Sequence, residues 1–62
     1  MIVTIYYDRL YSDGSLMDEN YWVYENNDWD IGKIPDIIAK FFNDNITYNT
    51  KITKINIERN YK

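Results

Sequence analysis

The sequence predicts one compact α+β domain over residues 1–62, in which a small three-stranded, mainly antiparallel sheet (β-β-α-β) has one helix packed on one face. Three observations lead to this expectation. Two runs of β-branched and aromatic residues flank a turn signal, one segment carries apolar residues at helical spacing, and the last third of the chain returns to a strand-like pattern. A chain of 62 residues is also too short for a second domain.

The first two strands are expected to form a hairpin. Ile2–Tyr7 is rich in β-branched and aromatic residues, and its two faces carry Val3, Ile5 and Tyr7 on one side and Ile2, Thr4 and Tyr6 on the other. Asp and Gly within Ser12–Ser15 indicate a tight reversal. The return strand is expected over Asn20–Glu25, and Leu16 and Met17 are expected to cover the end of the hairpin.

The helix is predicted to begin near Pro35, because proline is tolerated in the first helical turn. Five apolar residues follow the spacing of one helical stripe: Ile34, Ile37, Ile38, Phe41 and Phe42. Asn43–Asn45 contains residues that favour caps and turns, so it is expected to end the helix.

The last strand is predicted within Thr47–Arg59. Ile55 and Ile57 share one face of this segment, but Ile52 is out of phase with them. Either a β-bulge near Thr53 or a junction of two short strands would explain the change of phase.

One short helix can cover only one face of this sheet, although both faces of the first two strands are apolar or aromatic. In the second strand, Trp22 and Tyr24 share one face and Tyr21 and Val23 share the other. Uncovered apolar surface commonly marks an interaction site, so the sequence predicts a homodimer or a stable complex with a partner.

The charge is distributed unevenly. Through Asp36, eight acidic residues stand against two basic ones, a net charge of −6, whereas the residues after Asp36 carry +3. An acidic half suits a partner with a basic surface, because complementary charge raises the association rate and the specificity. The alternative is a solvated acidic surface that serves only to keep the domain in solution.

Most kinds of catalytic and metal site are disfavoured. The chain has no Cys and no His, and a general acid would need a pocket that so short a chain can hardly build. Asn26, Asp28 and Asp30 have the spacing of the first three ligands of a calcium loop, but Gly32 comes one residue late and Ile37 stands where the bidentate Glu belongs. A capping and turn role is therefore expected for these three residues. The sequence therefore predicts a protein that is not an enzyme and holds neither a metal nor a cofactor.

A partner-binding site is predicted around Trp29. This residue is flanked by Asp28 and Asp30 in a polar loop, which resembles an aromatic interface anchor surrounded by charge. Glu25 and Tyr24, at the end of the preceding strand, are assigned to the same site. Trp22 is expected to belong to the core.

Two other functions remain open. Basic and aromatic residues near the C-terminus could bind nucleic acid, namely Lys51, Lys54, Arg59 and Lys62 with Tyr48 and Tyr61. A pI of 4.6 opposes that function, and lysines on an edge strand also prevent aggregation. The other possibility is a subunit of a larger assembly with no inhibitory role.

In size and composition the chain resembles the small inhibitors that phages and mobile elements use against host nucleic-acid enzymes or defence systems. It is very short, acidic, free of Cys and rich in Tyr and Trp. The resemblance assigns no functional residue, but it implies a protein that occludes a basic site. The start of the chain shows no basic leader and no segment approaches the about 20 apolar residues that span a membrane, so a cytoplasmic location is expected, in the host cell if a phage encodes the protein.

Overall fold

A computed structural model describes residues 1–45 and 49–60 of the chain. The elements follow one another as strand β1 (Ile2–Leu10), strand β2 (Leu16–Glu25), a 3₁₀ turn (Ile31–Lys33), helix α1 (Ile34–Asp44) and strand β3 (Asn49–Glu58). The strands form one open antiparallel sheet in the order β2-β1-β3. The predicted small α+β fold is confirmed, with β1 as the central strand and β2 and β3 at the two edges.

The hairpin turn lies where it was predicted. The backbone N–H of Gly14 donates to the carbonyl of Tyr11 at 2.9 Å, and Gly14 adopts a φ of 87°, a value that L-residues rarely take. The Asp13 carboxylate accepts hydrogen bonds from the N–H and the hydroxyl of Ser15, at 2.9 and 2.6 Å. These bonds lower the pKa of Asp13.

Strand β2 begins earlier than predicted. Leu16 pairs with Leu10, and the register shifts between Arg9 and Leu10, so Leu16 and Met17 belong to the strand and do not cover the hairpin end. The sequence analysis missed this extension because the polar residues Asp18 and Glu19 resemble loop. In the structure they pair with Arg9 and Asp8 of β1, which allows them to lie within a strand.

The predicted bulge in β3 is confirmed. Lys54 lies opposite Tyr6 and Ile52 lies opposite Tyr7, so Thr53 has no partner residue on β1. The Thr53 hydroxyl donates to the carbonyl of Tyr6 at 3.2 Å. Ile55 and Ile57 share the face that carries Ile5 and Val3, as expected. The predicted beginning of the strand at Thr47 falls outside the described residues.

The core forms between α1 and one face of the sheet. Its buried side chains are Met1, Val3, Ile5, Tyr7, Ile37 and Phe41. The Phe41 ring meets the rings of Tyr7 and Trp22 edge-on, with centroids 4.8 and 5.7 Å apart. Trp22 and Tyr24 are half-buried and pack against this core. Phe42, which the helical spacing assigned to the same stripe, is 45% exposed.

Asn45 joins the end of α1 to the central strand through side-chain hydrogen bonds. Its side-chain amide donates to the carbonyl of Phe41 at 2.8 Å, while its side-chain oxygen accepts from the Tyr7 hydroxyl at 3.1 Å. The backbone N–H of Asn45 donates to the carbonyls of Phe41 and Phe42. The predicted helix end at Asn43–Asn45 is therefore confirmed. Within residues 1–45 and 49–60, no helix has the length and apolar character needed to cross a membrane.

Candidate functional site

Aromatic rings and carboxylates are exposed together in two parts of the domain. The first is the loop Asn26–Asp30 between β2 and the 3₁₀ turn, which we call the acidic loop. The second is the sheet face opposite α1, which we call the open face; on β1 and β2 it carries Ile2, Thr4, Tyr6, Asp8, Glu19, Tyr21, Val23 and Glu25.

The acidic loop is shaped by local side-chain hydrogen bonds. The side-chain oxygen of Asn26 accepts from the N–H of Asp28 at 3.4 Å, and the carboxylate of Asp30 accepts from the N–H of Gly32 at 3.1 Å. Asp30 is therefore the N-cap of the 3₁₀ turn and is half-buried. Asp28 is exposed. Among the described residues, a backbone N–H donates to the Asp30 carboxylate and none donates to that of Asp28.

Trp29 is exposed but held in place. Its side chain is 43% exposed, and the guanidinium carbon of Arg59 lies 4.4 Å from the centroid of its ring. At this distance the arginine attracts the ring through a cation–π interaction. A cavity of about 170 Å³ adjoins the pair, with Asn27 and Asn60 in its lining. The sequence analysis placed Arg59 in a basic strip and missed this contact.

Glu25 and Tyr24 have different surroundings. Glu25 is exposed at the end of β2, and its carboxylate accepts from the side-chain amide of Asn60 at 3.3 Å. Tyr24 is half-buried on the helix-covered face, where it stacks beside Trp22 with ring centroids 6.2 Å apart. Among the five residues assigned to partner binding, Glu25, Asp28 and Trp29 are exposed, while Asp30 and Tyr24 have structural contacts. Their role in binding stays a prediction.

The open face exposes apolar and aromatic side chains along its centre. Tyr6, Tyr21 and Val23 are 39%, 65% and 50% exposed. Tyr6 and Tyr21 lie opposite each other on neighbouring strands, with ring centroids 6.4 Å apart. Helix α1 lies on the other side of the sheet, so no described element covers these residues.

Charge changes sign across the open face. On the β2 side, Glu19 lies directly opposite Asp8, an arrangement of like charges that destabilises a sheet. On the β3 side, Asp8 lies opposite Lys51, and the Lys54 ammonium is 5.8 Å from the centroid of the Tyr6 ring. A groove of about 400 Å³ crosses the three strands here, with Glu19 and Lys54 in its lining.

The basic residues proposed for nucleic-acid binding are divided between two places. Lys51 and Lys54 lie on β3, whereas Arg59 follows the end of that strand and covers Trp29. The remaining members of the set, Tyr48, Tyr61 and Lys62, lie outside the described residues.

Asp18 is paired on the helix-covered face of the sheet. Nε of Arg9 donates to one carboxylate oxygen at 2.6 Å, and Nη2 donates to the other. The bond from Arg9 is the main reason that the pKa of Asp18 lies below its usual value. Among the acidic residues of β2, this leaves Glu19 and Glu25 on the open face.

Sequence reasoning expected an uncovered aromatic face on the first two strands, with Tyr6 and Tyr21 on it, but it did not place Asp8 or Glu19 on that surface. An available signal was the period of two along β2, which places Glu19, Tyr21, Val23 and Glu25 on one face once the strand is known to start at Leu16. No family model, curated protein or solved structure matches the chain. Among the described residues, no group of three or more carboxylates is arranged to hold a metal ion.

Proposed function

We propose that the domain binds another protein and inhibits it by covering a basic, nucleic-acid-binding site, as an acidic module acting in the cytoplasm. One observation carries the proposal: the indole of Trp29 is exposed, and the Arg59 guanidinium holds it in position. A side chain that is already held loses little conformational freedom when it enters a pocket on a partner. Trp and Arg are also the residue types in which binding energy is most often concentrated.

The carboxylates near Trp29 carry negative charge that is complementary to a basic site on the partner. Glu25, the last residue of β2, and Asp28, in the acidic loop that follows, are both exposed. A site that binds nucleic acid holds phosphates with Lys and Arg, and carboxylates form charge-assisted hydrogen bonds with the same side chains. The net charge of −3 favours the encounter. Inhibition follows because the nucleic acid and the domain compete for one surface.

The test is capture from extracts of the source cell with the immobilised protein, followed by titration of the purified captured protein. Trp29→Ala should weaken binding about 30-fold, the effect of losing a hot-spot residue worth about 2 kcal/mol. Glu25→Gln/Asp28→Asn should weaken it about fivefold at low salt and less at high salt. Tyr11→Ala is the matched control, since Tyr11 is an exposed aromatic residue in the hairpin loop at the other end of the sheet.

The inhibitory role is tested on the captured protein. Its nucleic-acid binding should fall as the domain is added and should be restored by excess nucleic acid. Equal affinity of the wild-type and Trp29→Ala proteins for every captured protein would contradict the proposal. A salt-dependent gel shift with nucleic acid that disappears in Lys51→Ala/Lys54→Ala would support direct nucleic-acid binding in its place.

A further inference from the structure

We infer that the outer edge of β2 accepts a basic, extended segment of the partner protein as an additional strand of the sheet. The inference rests on the proposed function, since it specifies how a partner with a basic surface is held. Its basis is the strand order: β1 is central, so within the described residues β2 pairs along one edge only. A free edge presents backbone donors and acceptors that another strand can pair with.

The two edges of the sheet differ in how they are protected. Strand β3 carries a bulge at Thr53 and exposed lysines at positions 51 and 54, which are features that discourage pairing with another strand. Strand β2 contains no Lys, Arg or Pro. Its irregularity lies at the hairpin end, so Asp18–Glu25 pairs with β1 through eight consecutive residues. Strand β2 is therefore the edge more open to a further strand, and its acidic side chains favour one of positive charge.

Side chains on both faces of β2 can contact an added strand. On the open face, Tyr21 and Val23 are among the most exposed apolar side chains of the domain. On the helix-covered face, Trp22 and Tyr24 are half-buried at the margin of the core. An added strand places its own side chains alternately beside these two pairs, and such cross-strand neighbours stabilise a sheet.

The acidic side chains near the edge of β2 indicate which kind of segment can be added there. Glu19 and Glu25 are exposed on the open face of β2, and Asp8 stands opposite Glu19 on β1. A second copy of β2 would bring its own carboxylates to this edge, whereas a basic segment would relieve the like-charge pair of Asp8 and Glu19. The occupant that fits is a segment of another protein with positive side chains.

The spacing of the two glutamates of β2 specifies where the added segment carries its positive side chains. Glu19 and Glu25 are six residues apart on one face, which corresponds to roughly 20 Å along a strand. A complementary segment therefore carries Lys or Arg at two positions six residues apart, with β-branched or aromatic residues between them. The probe is a synthetic peptide with Lys at these two positions and alternating Val and Thr between them.

The experiment follows amide hydrogen exchange of the full-length protein with and without the peptide. Saturating peptide should slow exchange of amides within Leu16–Glu25 at least about tenfold and leave Asn49–Glu58 unchanged, because a new hydrogen-bonded strand protects only the edge it joins. Glu19→Gln/Glu25→Gln should weaken peptide binding about fivefold. The matched control is Asp36→Asn/Asp44→Asn, which removes the same charge from exposed positions on α1.

Five results would each overturn the inference. The first two are unchanged exchange of β2 amides with the Lys peptide and protection of β3 amides. The next two are equal binding of a peptide with Glu in place of Lys and an equal loss of peptide affinity in the α1 control variant. The last is β2 protection that grows with protein concentration in the absence of peptide, which would assign the edge to a second copy.

The two proposals can be refuted independently. If partner capture requires Trp29 but β2 does not respond to the Lys peptide, strand addition is wrong and the proposed function stands. If β2 takes the Lys peptide but captured proteins bind the Trp29→Ala variant normally, the proposed anchor is wrong and the inferred strand site stands.

Discussion

Replacing Phe41 by Ala should destabilise the domain far more than the same replacement at its neighbour Phe42. Phe41 is fully buried against the rings of Tyr7 and Trp22, whereas nearly half of Phe42 is exposed. Truncating a buried Phe costs about 3–5 kcal/mol. At about 0.05–0.15 kcal/mol per residue, 62 residues give a free energy of unfolding of about 3–9 kcal/mol. Phe41→Ala should therefore remove between about a third and all of this free energy, while Phe42→Ala should cost about 1 kcal/mol.

The assay is urea unfolding at pH 7, followed by circular dichroism and by tryptophan fluorescence. Trp22 lies 5.7 Å from the Phe41 ring, so its emission should report the loss of packing directly. If Phe41→Ala has no folded baseline, Phe41→Leu should retain one, with a loss of about 1–2 kcal/mol. Equal losses at positions 41 and 42 would refute the reasoning, because they would mean that α1 presents a different face to the sheet.

Three further perturbations test other contacts by urea unfolding. Asp18→Asn should reduce the free energy of unfolding at pH 7. The arginine partner depresses the pKa of Asp18 in the folded state, so its contribution is present above the ordinary pKa of 3.8 and is lost as the pH falls through the lowered pKa. A stability difference that is unchanged at pH 2 would contradict this. Tyr7→Phe should cost about 1 kcal/mol by removing the hydrogen bond to Asn45, and an unchanged midpoint would mean that the bond contributes nothing. Glu19→Lys should raise the free energy of unfolding by about 0.5 kcal/mol, because it places a positive side chain opposite Asp8. The gain should shrink in concentrated salt. A loss of stability would show that Asp8 and Glu19 do not repel each other.

The parts of the fold that depend on local periodicity could be predicted from the sequence. The spacing of Ile34, Ile37, Ile38 and Phe41 identified the helix and its buried side. The change of phase at Ile52 indicated either a bulge or a junction of two short strands, and the structure shows a bulge in one strand. Phe42 lies at the margin of the same stripe, because it is about 100° around the helix from Phe41, and it is 45% exposed. The start of β2 was missed because cross-strand pairing allowed polar residues to lie in a strand.

The candidate site was less predictable, because its contacts join distant parts of the chain. The position of Arg59 over Trp29 depends on where β3 ends relative to the acidic loop, and no local pattern contains that information. By contrast, the capping role of Asp30 is local and was expected, because a capping and turn role was favoured over a calcium loop for this spacing. The open face required the strand register, since only the register shows that Asp8 and Glu19 are neighbours.

The central position of β1 also affects how the domain folds. The β1–β2 hairpin closes through a five-residue loop, whereas β3 must return from residue 58 to pair with residue 2. Closing a loop of that length loses chain entropy before any pairing compensates for it, and folding rates fall as contacts become more distant in sequence. We therefore expect the hairpin to form first and the docking of β3 to limit the folding rate. Until β3 docks, the free edge of β1 is a second place where another chain can pair, so a chain in which only the hairpin has formed is more exposed to misassembly than the native domain.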